Sequence, residues 1–227
     1  MKKIGFIGAY DKTDLILYIA KVITELNNKV LVIDTTICQK ARYIVPSIAP
    51  SKYYITEYEN IDVAVGFESI DEIQKYLGIE TLPYDIILLD IDENKNMKKF
   101  EMDKANKNYF VTGFDSYSLK KGLEIIGKTE DKMVMTKILF SQEMLEEEDD
   151  YLNFLSFYYG VRWEQKKIFF PFESGDGSAI IENQRTARIR FKNLSETYKE
   201  GLYTATEDIM SDAKKNDIRK IIFKRGD

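Results

Sequence analysis

The sequence predicts an α/β protein: a doubly wound, mostly parallel sheet with helices on both faces. Three observations carry this. Short, almost continuously apolar runs at residues 29–33 and 84–91 have the texture of strands buried on both faces. Segments with apolar residues at i, i+3, i+4 and i+7 alternate with such runs. The alternation starts at once: the first 34 residues read strand, loop, helix, strand, a unit whose parallel crossover is right-handed.

The elements follow in order. Residues 3–7 form a strand closed by Gly8. A helix over 14–26 is capped by Asp14 and amphipathic through Ile16, Ile19, Ala20, Ile23 and Leu26, and Asn27-Asn28 end it. Residues 29–33 are the second strand. Further strands are expected at 62–67, at 84–91 after Pro83, at 109–112, at 133–140, and at 167–170 before Pro171. Further helices are expected at 69–77, 116–126, 145–159 and 194–210. No linker rich in Pro, Gly or Ser and no repeat divides residues 1–227, which are read as one domain.

Composition narrows the chemistry. The chain carries 33 basic and 38 acidic residues and is 44% hydrophobic, a soluble globular balance. A net charge of −5 argues against nucleic acid as a partner. There is no histidine, which excludes Ser-His-Asp and Cys-His catalysis and histidine metal sites. The lone Cys38 allows no intrachain disulfide and reads as a small packing residue. With no apolar run near 18 residues and no secretory leader, the expected location is cytoplasmic.

Ligands of doubly wound sheets bind at the carboxyl ends of strands, and the first turn is the favoured place. Here it is Gly8-Ala9-Tyr10-Asp11-Lys12-Thr13-Asp14. Lys12-Thr13 stand directly before the helix, where a phosphate loop needs an ammonium for the phosphates and a hydroxyl for Mg²⁺. Gly8 is in place, but Ala9 and Asp11 occupy positions that favour glycine. Asp11 would also set a carboxylate beside phosphate oxygens. On residues alone, the turn reads first as a polar loop with an N-cap and second as a phosphate loop.

With these residues the chain resembles the MinD/ParA group of deviant Walker-A ATPases, P-loop proteins. The opening strand, loop and helix are similar, as is Lys29-Val-Leu-Val-Ile-Asp34. Tyr84-Asp-Ile-Ile-Leu-Leu-Asp90 resembles the Walker-B strand, Val111-Thr-Gly-Phe-Asp-Ser a later strand and helix start, and Phe170-Pro-Phe172 the segment that closes over the base. The resemblance implies ATP and Mg as cofactors. It implies nucleotide contacts from Gly8, Ala9, Tyr10, Asp11, Lys12, Thr13, Asp14 and Pro171, and Mg contacts from Thr13, Asp34 and Asp90. It also implies a homodimer that serves a larger protein assembly in pilus, division or partition machinery; the pilus-localisation branch has atypical loops of this kind.

The departures point to lost chemistry. Ile7 stands where the group carries a lysine that reaches the partner's nucleotide, and Asp11 replaces a glycine. Thr36 stands where a carboxylate would position water, a task a neutral hydroxyl cannot perform. The expectation is a spatial-organising scaffold that binds nucleotide with weak or no hydrolysis, with Asp34 the remaining catalytic candidate. An active ATPase using Lys12 and Mg, and an interaction module binding no nucleotide, are the alternatives.

Three further features are weighed. The acidic run from Glu146 to Asp150 reads as a solvated helix face or a dock for a basic partner. Phe154, Phe157, Tyr158 and Tyr159, at helical spacing, read as core, as do Tyr53, Tyr54 and Tyr58, which otherwise would face a partner. Residues 214–227 interleave Ile218, Ile221, Ile222 and Phe223 with Lys and Arg. They read as a basic amphipathic tail making weak membrane-surface contact, peripheral at the inner face, or as an edge strand.

Overall fold

The structure, a computed structural model, describes residues 1–46, 51–128, 131–141 and 146–224. Its strands are β1 (Lys2–Ile7), β2 (Val30–Asp34), β3 (Tyr54–Tyr58), β4 (Ile61–Val65), β5 (Ile86–Ile91), β6 (Lys107–Thr112), β7 (Met133–Ser141) and β8 (Val161–Pro171). Its α-helices are α1 (Thr13–Glu25), α2 (Ala41–Ile44), α3 (Ile70–Leu77), α4 (Asn94–Lys99), α5 (Ser116–Ile126), α6 (Glu146–Leu155), α7 (Ser174–Thr186), α8 (Glu196–Ile209) and α9 (Lys215–Phe223).

The strands form one sheet in the order β3-β4-β2-β5-β1-β6-β7-β8. All neighbours are parallel except β3 and β4. Because strand side chains alternate, each central strand feeds two cores. Ile4, Phe6, Val30 and Val32 meet α1, α8 and α9 on one face. Ile7, Leu31, Ile33 and Leu89 meet α3, α4, α5 and α6 on the other. The doubly wound architecture expected from the apolar runs is therefore present, and it brings the ends of β1, β2 and β5 side by side.

Several elements differ from expectation. Helix α1 begins at Thr13, and Lys12, without a side-chain cap bond, holds the N-cap place expected for Asp14. Strand β3 pairs antiparallel with β4 across Glu59-Asn60, both at positive φ (55° and 65°), as in a tight hairpin turn. A glutamate there hides the turn from sequence reading. Helices α2, α4 and α7 also escaped it, being short or weakly amphipathic.

Two side-chain readings are corrected. Tyr54 and Tyr58 are buried as expected, and Tyr53 is half exposed. By contrast, Phe154, Phe157 and Tyr158 are 77%, 71% and 76% exposed and are not core, while Tyr159 is partly buried against it. Phe154 on α6, and Phe157 and Tyr158 on the turn that follows it, lie opposite Asp149, which Lys137 and Lys167 hold against the sheet. Residues 215–223 are helical, not an edge strand, and Ile218 and Ile222 are buried against α8 and α1. The apolar side expected to meet a membrane is thus already covered by the chain's own core. Residues 225–227 of that tail, Pro50, and the side chains of Glu146 and Glu148 lie outside what is described. No described helix is long and apolar enough to cross a membrane.

Candidate functional site

The site is built where β1 turns into α1. Gly8 leaves β1 at φ 148°, and a Cβ there would lie 2.2 Å from the Val111 carbonyl oxygen. Only glycine lets the loop run so close to β6. Gly8→Ala is therefore expected to destabilise the fold by about 1–3 kcal/mol from backbone strain alone; a chemical denaturation curve unchanged from the parent would refute this.

The loop brings Lys12 back over the strand it has left. Its ammonium donates to the Gly8 carbonyl at 2.9 Å and lies 2.8 Å from Asp90 Oδ1, with both side chains only 2% exposed. The contact with Asp90 is charge against charge, while the ammonium's hydrogen bond goes to Gly8. Thr13 Oγ1 donates to the other oxygen of Asp90 at 3.0 Å. Lys12, Thr13 and Asp90 thus form one closed, buried network.

Asp34 sits beside Asp90 on the neighbouring strand. It is fully buried and accepts from Thr36 N at 2.9 Å, Thr36 Oγ1 at 2.6 Å and Ala41 N at 2.9 Å. Thr36, which stands where a water-positioning acid was looked for, thus turns its hydroxyl onto Asp34. Burial first, and the Asp90 charge second, push the Asp34 carboxyl up to about 6. A raised acid favours the folded state at low pH. Asp34 alone therefore makes the fold less stable as pH rises from about 4 to about 6, by about 3 kcal/mol. Carbon-detected NMR should show its carboxyl titrating near pH 6; a midpoint near 4 would contradict this. Asp92 is also raised by burial and accepts from Ile37 N.

Asp11 provides a further anchor. Its Oδ1 accepts from the Thr13 amide at 3.3 Å, at the start of α1, where an incoming phosphate would seek the same donor. Its Oδ2 meets Lys40 Nζ at 2.5 Å, and Lys40 reaches Asp14 at 2.8 Å. Asp14 also accepts from Gln184 on α7. Lys40 and Gln184 were not visible in the sequence, since each lies far along the chain from its carboxylate and belongs to no motif.

A cavity of ≈ 320 Å³ opens here, lined by Gly8, Ala9, Tyr10, Asp11, Lys12 and Thr13 with Thr36, Cys38, Lys40, Tyr43, Asp90 and Asp92. Six of the expected contacts therefore converge, together with Asp90. Asp14 and Asp34 flank the cavity without lining it. Pro171 ends β8, three strands from β1. An aromatic stack runs between the two places, from Tyr10 to Phe140 (4.7 Å) and on to Phe170 (5.1 Å). Cys38, expected to pack inside, is exposed.

The donor set suits one half of a magnesium nucleotide. The Thr13 hydroxyl and Asp90 are hard oxygen donors of the kind a hydrated Mg²⁺ takes. Among the described residues no group of three or more acidic or cysteine side chains is disposed around one metal position, so water or phosphate would have to complete the shell. The phosphate half fits poorly, because both ammonium groups are already held by carboxylates.

No protein-family model and no curated protein matches the sequence. Solved structures do match its fold. MinD of Aquifex aeolicus superposes with a TM-score of 0.57 at 14% identity, over 94% of this chain and 98% of that one. A ParA family ATPase from Chlorobium tepidum gives 0.55 at 12%, over 97% and 95%. A Borrelia burgdorferi protein assigned to plasmid partition and bound to AMPPNP gives 0.59 at 11%, over 93% and 99%. The chain has the MinD/ParA fold. Ile7, expected to stand in place of a partner-reaching lysine, is wholly buried in the core.

Proposed function

We propose that this chain is a MinD/ParA-fold scaffold protein that organises other proteins in space and takes ATP and Mg weakly, with little or no hydrolysis. The observation that carries the reading is the closed state of the phosphate loop. Lys12 is buried against Asp90, and Asp11 occupies the Thr13 amide. A triphosphate must displace both internal anions before it gains its own contacts. Hydrolysis lacks support beyond that: Thr36 cannot act as a carboxylate, and Ile7 offers no charge to a partner. Thr13 and Asp90 would hold the magnesium ion.

The partner side of the proposal rests on likeness of fold. MinD of Aquifex aeolicus has been solved in complex with MinC. A homodimer that engages a further protein in division, partition or pilus machinery is the role proposed here. Weak surface association with a membrane through residues 214–227 would require α9 to leave α8.

Calorimetry with ATP and Mg²⁺ tests the proposal. The expected dissociation constant is near 1 mM, about −4 kcal/mol, with no turnover above buffer. Micromolar binding with turnover abolished by Lys12→Ala would replace the proposal with an active ATPase. The Asp11 contact to the Thr13 amide favours one other reading, an interaction module that takes no nucleotide. That reading predicts no heat at any concentration, in the parent chain and in Asp11→Gly alike.

A further inference from the structure

Helix α6 turns its largest apolar groups the wrong way. Its inner side carries Leu152 but also Asp149 and Ser156, all buried. Asp149 is clamped by Lys137 at 2.5 Å and Lys167 at 2.9 Å, and Trp163 donates to Ser156 Oγ at 2.8 Å. Polar bonds therefore fix the helix rigidly to β7 and β8. Its outer side, continuing through the turn at Ser156–Tyr158, presents Tyr151, Phe154, Phe157 and Tyr158, exposed by 48%, 77%, 71% and 76%. Among the described residues, Phe154 and Phe157 are the only phenylalanines so exposed. Phe157 and Tyr158 meet edge to face at 5.1 Å. Glu147 and Asp150 are exposed at the amino end of the same side.

Aromatic groups held rigidly in the open are the composition of an interface centre, and they cost little conformational entropy to cover. The charges beside them decide what covers them. We propose that the outer face of α6 is a docking surface for a basic amphipathic helix of another protein, its apolar anchors seated among Tyr151, Phe154, Phe157 and Tyr158 and its lysines or arginines on Glu147 and Asp150. An anionic membrane or a nucleic acid would be repelled by those carboxylates and by the chain's net charge of −5. A second copy offers no suitable helix in α9, whose Ile218 and Ile222 are buried. The proposal is independent of nucleotide.

The test titrates the full chain with a synthetic leucine–lysine helix, its leucine–glutamate counterpart, and phosphatidylglycerol vesicles, each by calorimetry and by hydrogen exchange over residues 147–158. The leucine–lysine helix is expected to bind and to protect α6. Phe154→Ser/Phe157→Ser and Glu147→Lys/Asp150→Lys are each expected to weaken it at least tenfold, with thermal melts unchanged because the altered side chains are exposed. If the double variant melts early, Phe154→Ser alone serves. The proposal is overturned by absence of binding, by affinity indifferent to the phenylalanines (charge alone), by equal binding of the glutamate helix, by vesicle binding that protects α6, or by self-association that the phenylalanine variant abolishes.

Discussion

Asp90→Ala is expected to lower the stability of the fold by about 3–5 kcal/mol, because it leaves the Lys12 ammonium buried without its counter-charge. Lys12 is 3% exposed and keeps its hydrogen bond to the Gly8 carbonyl, with the half-buried Asp92 as a more distant carboxylate. Thr13 Oγ1 loses its acceptor in the same step. At roughly 2–4 °C per kcal/mol for a chain of this size, the midpoint of thermal unfolding should fall by roughly 6–20 °C. Lys12→Met in the same background removes the orphaned charge and should restore more than half of the loss. A midpoint for Asp90→Ala within about 2 °C of the parent would mean that Lys12 stands free in solution. The loop would then be open, and the main obstacle to a phosphate would vanish with it.

Asp11→Gly should tighten binding of magnesium ATP by about ten- to a hundredfold, some 1.4–2.7 kcal/mol. The substitution frees the Thr13 amide, returns a residue able to take any backbone conformation to the loop, and releases Lys40 from one of its two carboxylates. It also removes a charge that would repel phosphate oxygens by about 4 kcal/mol at 4 Å in a partly shielded setting. Asp11 is 55% exposed and paired with Lys40, so only part of that repulsion is recovered. Asp11→Ala separates the causes, since it removes the charge without restoring glycine. Calorimetry on the two variants reads the result directly, and an affinity unchanged in both would show that Asp11 does not guard the site.

The strands and main helices were legible because burial on both faces writes itself as continuous apolar runs, as in residues 29–33 and 84–91. Helices α5 and α8 were legible from periodicity, to within two residues at each end. The edge hairpin was not, since Glu59 at positive φ gives no glycine signal. The exposure of Phe154 and Phe157 was not either: periodicity shows that residues share a side of a helix and is silent on which side meets the sheet. Lys137 and Lys167, holding Asp149 from two strands, decide that.

At the site the division follows the same line. Local residue order alone determined that Lys12 and Thr13 stand where a strand gives way to a helix, that Asp34 and Asp90 lie at the ends of two strands or one residue short of them, and that no histidine takes part. Tertiary structure decided that Lys12 points at Asp90 rather than outward, that the Thr13 hydroxyl meets the same carboxylate, and that Lys40 reaches back to Asp11. The reason is physical: a motif fixes neighbours along the chain, while a charge inside a fold turns to whichever opposite charge the packing of distant strands sets within about 3 Å of it.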